Sequence, residues 1–145
     1  MKVRIVFYVM VLLTVIGCTQ NGAKLPEGTW KMVNFQYYSG DTLKANDVMD
    51  DSVNQVKIWT PNYFTFVGRS KGDSTYQDNY GGGTYKLDGI NYEENIQYHS
   101  YKSYIGQTVK LLLELKGDTL VQTFPVDNMW KPEKSHFIEK YVRLQ

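Results

Sequence analysis

Residues 107–115 carry the pattern that most limits what this chain can fold into. Val109, Leu111, Leu113 and Leu115 alternate there with Lys110, Leu112, Glu114 and Lys116. A period of two places successive side chains on opposite faces of an extended strand, whereas a helix repeats near 3.6. The same period runs through residues 90–99. Ile90, Tyr92, Glu94, Ile96 and Tyr98 fall on one face, and Asn91, Glu93, Asn95, Gln97 and His99 on the other, wet one. From Gly28 onward the chain divides into short runs separated by turn residues at fairly regular intervals, which is the pattern of an all-β domain. The predicted strands are 29–38, 53–59, 63–67, 76–87, 90–99, 107–115, 119–124 and 136–144. Ser39-Gly40-Asp41, Thr60-Pro61-Asn62, Asp88-Gly89 and Gly117-Asp118 supply the turns between them. The 12 tyrosines and 6 phenylalanines suit strands.

Several stretches break the period. Met32 and Val33 are both apolar, so the alternation slips and predicts a bulge or a sharp bend. Gly81-Gly82-Gly83 inside a strand predicts a bulge, a corner or a close backbone approach. A phosphate-binding loop needs a helix after the glycines, and Thr84-Tyr85-Lys86-Leu87 reads as strand. Residues 42–52 are polar and acidic and read as a loop or a short helical cap. Residues 68–74 read as a flexible loop, and 125–135 as a longer loop holding Trp130. Eight strands joined mostly as hairpins leave no room for a crossover helix. An open sheet of that size exposes two edges, and closing it removes them. The expected fold is an all-β, eight-stranded (eight to ten) antiparallel up-and-down β-barrel.

The N-terminus has a separate logic. Lys2 and Arg4 precede an almost wholly apolar run at residues 5–16. That run is too short to span a bilayer, which takes about 20 residues, and fits the roughly 7–15 of a signal-peptide core. Val15-Ile16-Gly17-Cys18 closes it and resembles the bacterial lipobox, with a small residue before the thiol that takes the lipid. The expected organisation is a lipoprotein signal peptide at 1–17, the lipidated Cys18 with its tether at 18–27, and a barrel domain at 28–145. Cys18 is the only cysteine, which excludes an intramolecular disulfide and a Cys-x-x-Cys redox pair. Anchoring through lipid predicts a membrane-attached protein of the cell envelope, facing the periplasm. With no aspartate directly after Cys18, the outer membrane is the expected site.

Loss of the signal leaves 14 basic and 15 acidic side chains, so no basic excess exists to hold nucleic acid. His99 lies on the polar face of its strand and His136 at a loop edge, without metal-ligand spacing, so both read as solvated histidines. Asp47, Asp50 and Asp51 lack the spacing of a calcium loop. No serine has a nucleophile-elbow context, and no cysteine is left over for catalysis. Neither a metal, a cofactor nor a catalytic residue is predicted, and the chain does not read as an enzyme.

Gly28-Thr29-Trp30 resembles the Gly-x-Trp that opens the first strand of lipocalins, where an Arg or Lys from the last strand packs on the indole. Arg143 stands at the matching place, so Gly28, Trp30 and Arg143 are the expected barrel closure. The chain also resembles small lipocalin-like, calycin-type lipoproteins of Bacteroidetes, a group in which many domains have no assigned function. Lys57-Ile58-Trp59, Tyr63-Phe64-Thr65-Phe66, Gly81 to Tyr85, Tyr92 to Tyr98 and Glu139 to Arg143 carry that likeness, with Tyr141 where the group has tryptophan. It implies a barrel and, at most, a ligand inside it.

Glu94 shares a face with Tyr92, Ile96 and Tyr98, so it is expected inside, where a carboxylate must be paired or hydrogen-bonded. Two arrangements are open. Glu94 and Arg143, or nearby tyrosines, satisfy each other; or Arg143 with Tyr141 anchors a ligand carboxylate. In the second case Trp59, Phe64, Phe66, Tyr85, Leu111 and Leu113 line an apolar pocket, and Tyr92, Glu94 and Tyr98 complete the candidate ligand set. The leading expectation is a barrel that binds a small apolar or amphiphilic molecule. The alternative is a solidly packed barrel acting as a structural or protein-interaction module.

Overall fold

A computed structural model describes residues 27–50, 53–71 and 75–144. The expected signal peptide, the lipobox-like segment, Cys18 and nearly all of the expected tether lie outside the described residues. Among the described residues nine strands follow one another: β1 (Gly28–Ser39), β2 (Thr42–Val48), β3 (Val53–Trp59), β4 (Tyr63–Lys71), β5 (Tyr76–Asp88), β6 (Asn91–His99), β7 (Thr108–Lys116), β8 (Thr119–Val126) and β9 (Pro132–Arg143). A single 3₁₀ turn, Lys102–Tyr104, sits between β6 and β7. No helix among the described residues is long and apolar enough to cross a membrane.

All the pairings are antiparallel, and β9 returns to β1, so the sheet closes on itself. Nine strands make eight barrel positions because β2 and β3 share one edge of β1. β3 pairs with Gly28–Lys31, and β2 pairs with Asn34–Ser39. Residues 42–52 therefore contain a strand where a loop or helical cap was expected. Six of the seven β2 residues are exposed, so neither face carries the apolar alternation that marks a strand. The chain also extends β4 to Lys71, where a loop from Gly68 was expected, and shortens the predicted loop at 125–135 to residues 127–131. There Asp127 Oδ1 accepts the N–H groups of Met129 and Lys131, at 2.8 and 3.0 Å.

Both predicted irregularities are bulges. β1 shifts register against β9 between Met32 and Asn34, leaving Val33 unpaired. The inner face then continues as Phe35 and Tyr37, which pack on Phe137 with ring centroids 5.4 and 5.1 Å apart. β5 and β6 shift between Gly82 and Gly83, and Gln97 is the extra residue. A Cβ on Gly83 would strike the backbone carbonyl of Asn95, and one on Gly81 would lie 2.5 Å from the Phe66 ring. Glycine is what lets the two strands approach here.

One end of the barrel is solid. Trp30, Trp59, Phe64, Tyr92, Leu111 and Leu120 are all at most 2 % exposed there. Trp59 donates its indole N–H to the Tyr92 hydroxyl at 2.8 Å, so a bond from β3 to β6 ties opposite walls together. The Arg143 guanidinium stacks 4.6 Å from the Trp30 ring and donates to the Glu27 carbonyl at 2.7 Å. An Arg over the indole that follows Gly28-Thr29 closes this end of the eight-position barrel.

Candidate functional site

Above the packed end lies a cavity of about 460 Å³. Polar side chains form its base. On β3, residues 55, 57 and 59 point inward by strand alternation, which carries Gln55 and Lys57 into the lumen beside Trp59. Lys57 is only 3 % exposed and Glu94 only 5 %, and they form an ion pair across the lumen at 2.5 Å. The ammonium also donates to Gln122 Oε1 at 2.9 Å. Four rings surround it, those of Trp59, Phe64, Phe66 and Tyr92, at 5.1 to 6.0 Å.

A second acid continues the network. Gln122 on β8 faces Glu139 on β9 in the register and donates to its Oε2 at 3.4 Å. The Tyr141 hydroxyl donates to the same oxygen at 2.6 Å and accepts from Gln55 Nε2 at 2.9 Å. Burial pushes the Tyr141 and Tyr92 hydroxyls well above their ordinary pKa, helped by the carboxylates beside them, so both stay protonated. Burial also raises the Glu139 carboxyl, against the opposing pull of Lys57 and the Tyr141 hydroxyl. The base of the cavity thus holds one cation and two carboxylates.

The open end is built from rings. Phe66, Phe124, Phe137, Tyr101 and Tyr104 line it together with His99. The Gln97 bulge turns His99 inward, so it is not the solvated residue expected from a regular strand. Its ring stacks on Tyr104 at 4.6 Å and meets the edge of Phe66 at 5.7 Å, while Nδ1 accepts the Tyr101 N–H at 2.9 Å. Desolvation lowers its pKa, with Glu94 opposing, which favours the neutral ring.

The predicted site residues therefore divide. Phe66, Glu94, Leu111 and Tyr141 line the cavity. Trp59, Phe64, Tyr85, Tyr92 and Leu113 belong to the core beneath it. Two placements are corrected. Tyr98 is 69 % exposed on the outer wall, because the bulge reverses the alternation one residue before it. Arg143 sits at the floor over Trp30, paired in register with it, and meets neither Glu94 nor the cavity. Glu94 takes Lys57 as its partner instead. Lys57, Gln55, Gln122 and Glu139 escaped the sequence reading, although each keeps the phase of an inward neighbour: Trp59 for the first two, Leu120 for Gln122 and Tyr141 for Glu139. Among the described residues no group of three or more His, Cys, Asp or Glu could hold a metal ion.

No protein-family model matches the chain, and no curated protein sequence does. Among solved structures it is similar to a lipocalin-like protein from Bacteroides uniformis ATCC 8492. The two share 16% identity over 81% of this chain and 97% of that one, with a TM-score of 0.49.

Proposed function

We propose that this protein is a non-enzymatic envelope lipoprotein that holds a small amphiphilic molecule inside its barrel. The cavity carries the reading. It joins a hydrogen-bonded polar base to an aromatic mouth, within a barrel whose other end is packed solid. A volume of about 460 Å³ lies in the range of roughly 300–1,000 Å³ typical of small-molecule sites. The polar groups at the base hold one another in place, which suits steady binding of a guest better than proton transfer to one.

The test is native mass spectrometry of the mature chain carrying Cys18→Ser, so that no lipid is attached, after exposure to an envelope lipid extract. A mass adduct is expected, and Phe66→Ala with Tyr104→Ala should remove it. Adducts that persist unchanged in that double variant place the guest elsewhere. A specific feature favours a second reading in that event. Tyr63, Val67, Tyr80 and Tyr98 form an exposed apolar strip on the outer wall, suited to a protein partner.

Gly17 and Cys18 support the address. The Cys18→Ala protein should take up no radiolabelled palmitate and keep its precursor mass. Labelling that survives the substitution removes the anchor from the proposal.

A further inference from the structure

The charge balance at the base of the cavity says which head group the guest carries. We propose that the guest is an amphiphile with an ammonium head, seated against Glu139 with its apolar body among the mouth rings. This rests on the cavity reading above and adds the chemistry of the head to it.

Among the described residues that line the cavity Lys57 is the one cation, and its partners are already assigned. It pairs with Glu94 at 2.5 Å and donates to Gln122 at 2.9 Å. Glu94 is thereby neutralised. Glu139 has neutral donors only, the Tyr141 hydroxyl and the Gln122 amide, and both bond to Oε2. Among the described residues no hydrogen bond reaches Oε1. A carboxylate takes about four hydrogen bonds when ionised, so Glu139 keeps acceptor capacity on the side that lines the cavity. A guest ammonium supplies the missing counter-charge and donors together. A guest carboxylate would bring a third acid to a site with one lysine. Phe124 and Phe137 line the same cavity and offer apolar surface to the body of the guest.

The titratable groups facing the cavity are Lys57, Glu94, His99, Tyr101, Tyr104, Glu139 and Tyr141. His99 is held toward its neutral form and Tyr141 stays protonated. Glu139 is the group whose ionisation the guest reads. An alkylammonium stays charged up to about pH 10, like a lysine. Its binding is therefore strong above the raised Glu139 pKa and falls as pH drops through it.

Isothermal titration of the mature Cys18→Ser chain at pH 8 with octylamine, octanol and octanoate separates the possibilities. Octylamine is expected to bind at least tenfold more tightly than either of the others. Glu139→Gln should remove that preference, a loss of about 1.4 kcal/mol or more. The unsubstituted chain should lose octylamine affinity on acidification, which keeps the test decisive even if Glu139→Gln folds poorly. Equal or tighter binding of octanol or octanoate overturns the ammonium assignment and leaves the cavity reading standing. Failure of all three to bind overturns the assignment as well. If the lipid-extract adduct is also missing in that case, the cavity reading falls with it.

Discussion

Lys57→Met should destabilise the domain by about 3–5 kcal/mol, measured as a loss in the urea unfolding free energy. The lysine and Glu94 are both almost fully buried, and the pair bridges β3 and β6 across the lumen. Methionine preserves most of the apolar stem that lies among Trp59, Phe64, Phe66 and Tyr92, so lost packing contributes little. What remains is a carboxylate with no counter-charge and a Gln122 oxygen without its donor, at a site water hardly reaches. Domains of this kind are stable by about 5–15 kcal/mol in total, so the loss is a large part of the whole. Lys57→Met combined with Glu94→Leu removes both charges and should recover most of the loss, since a buried pair is rarely more stable than a packed apolar one. A single variant costing less than about 1 kcal/mol, or a double variant worse than the single, contradicts the network as described.

That Lys57 matters at all was available in the sequence and easy to pass over. A lysine in a strand reads as a surface residue, since lysines are almost never fully buried unless paired. Yet Trp59 was placed inside, and strand alternation carries residue 57 inside with it. The partner could not be read the same way. Glu94 lies 37 residues from Lys57, and only barrel closure makes β3 and β6 face each other. Arg143 looked like the natural cation for Glu94 because it shares a strand face with Tyr141. Its position at the last residue of β9 takes it past the packed floor and onto Trp30.

Strands with one wet and one buried face were the legible ones. β7 alternates cleanly and β6 does so as far as Ile96, and the structure places both strands as expected to within two residues. β2 was invisible for the opposite reason: it projects along the outer half of β1 with both faces in water, so no periodicity identifies it. The bulges were legible as interruptions, at Met32–Val33 and at the triple glycine. Their consequence was not. Whether Tyr98 or His99 points into the lumen depends on which strand carries the extra residue, and the glycines sit on β5 whereas the extra residue is Gln97 on β6. The mouth of the cavity turns on that one residue.

Gly83→Ala tests this dependence and should cost about 3 kcal/mol or more, the upper end of what an overpacked site loses. The added methyl meets the Asn95 carbonyl, which is backbone held in the β6 ladder and has no rotamer to give way. Relief requires β5 and β6 to separate or the bulge to be lost. Without it Gly82 pairs with Gln97 and Gly81 with Tyr98, which restores the regular alternation, turns Tyr98 inward and takes His99 out. The His99 contacts with Phe66 and Tyr104 then break, and the mouth loses its wall. Gly89→Ala provides the comparison. Gly89 opens the two-residue turn between the same two strands at φ +61°, and a methyl there meets nothing within 4 Å. Its cost is the left-handed backbone alone, about 1–2 kcal/mol. Urea unfolding of the two variants should separate them clearly. The His99 ring protons should also leave the shielding of Tyr104 in the NMR spectrum of Gly83→Ala and keep it in that of Gly89→Ala. Equal costs with an unchanged His99 would mean that the close approach at Gly83 does not set the bulge, and the inward turn of His99 would then need another cause.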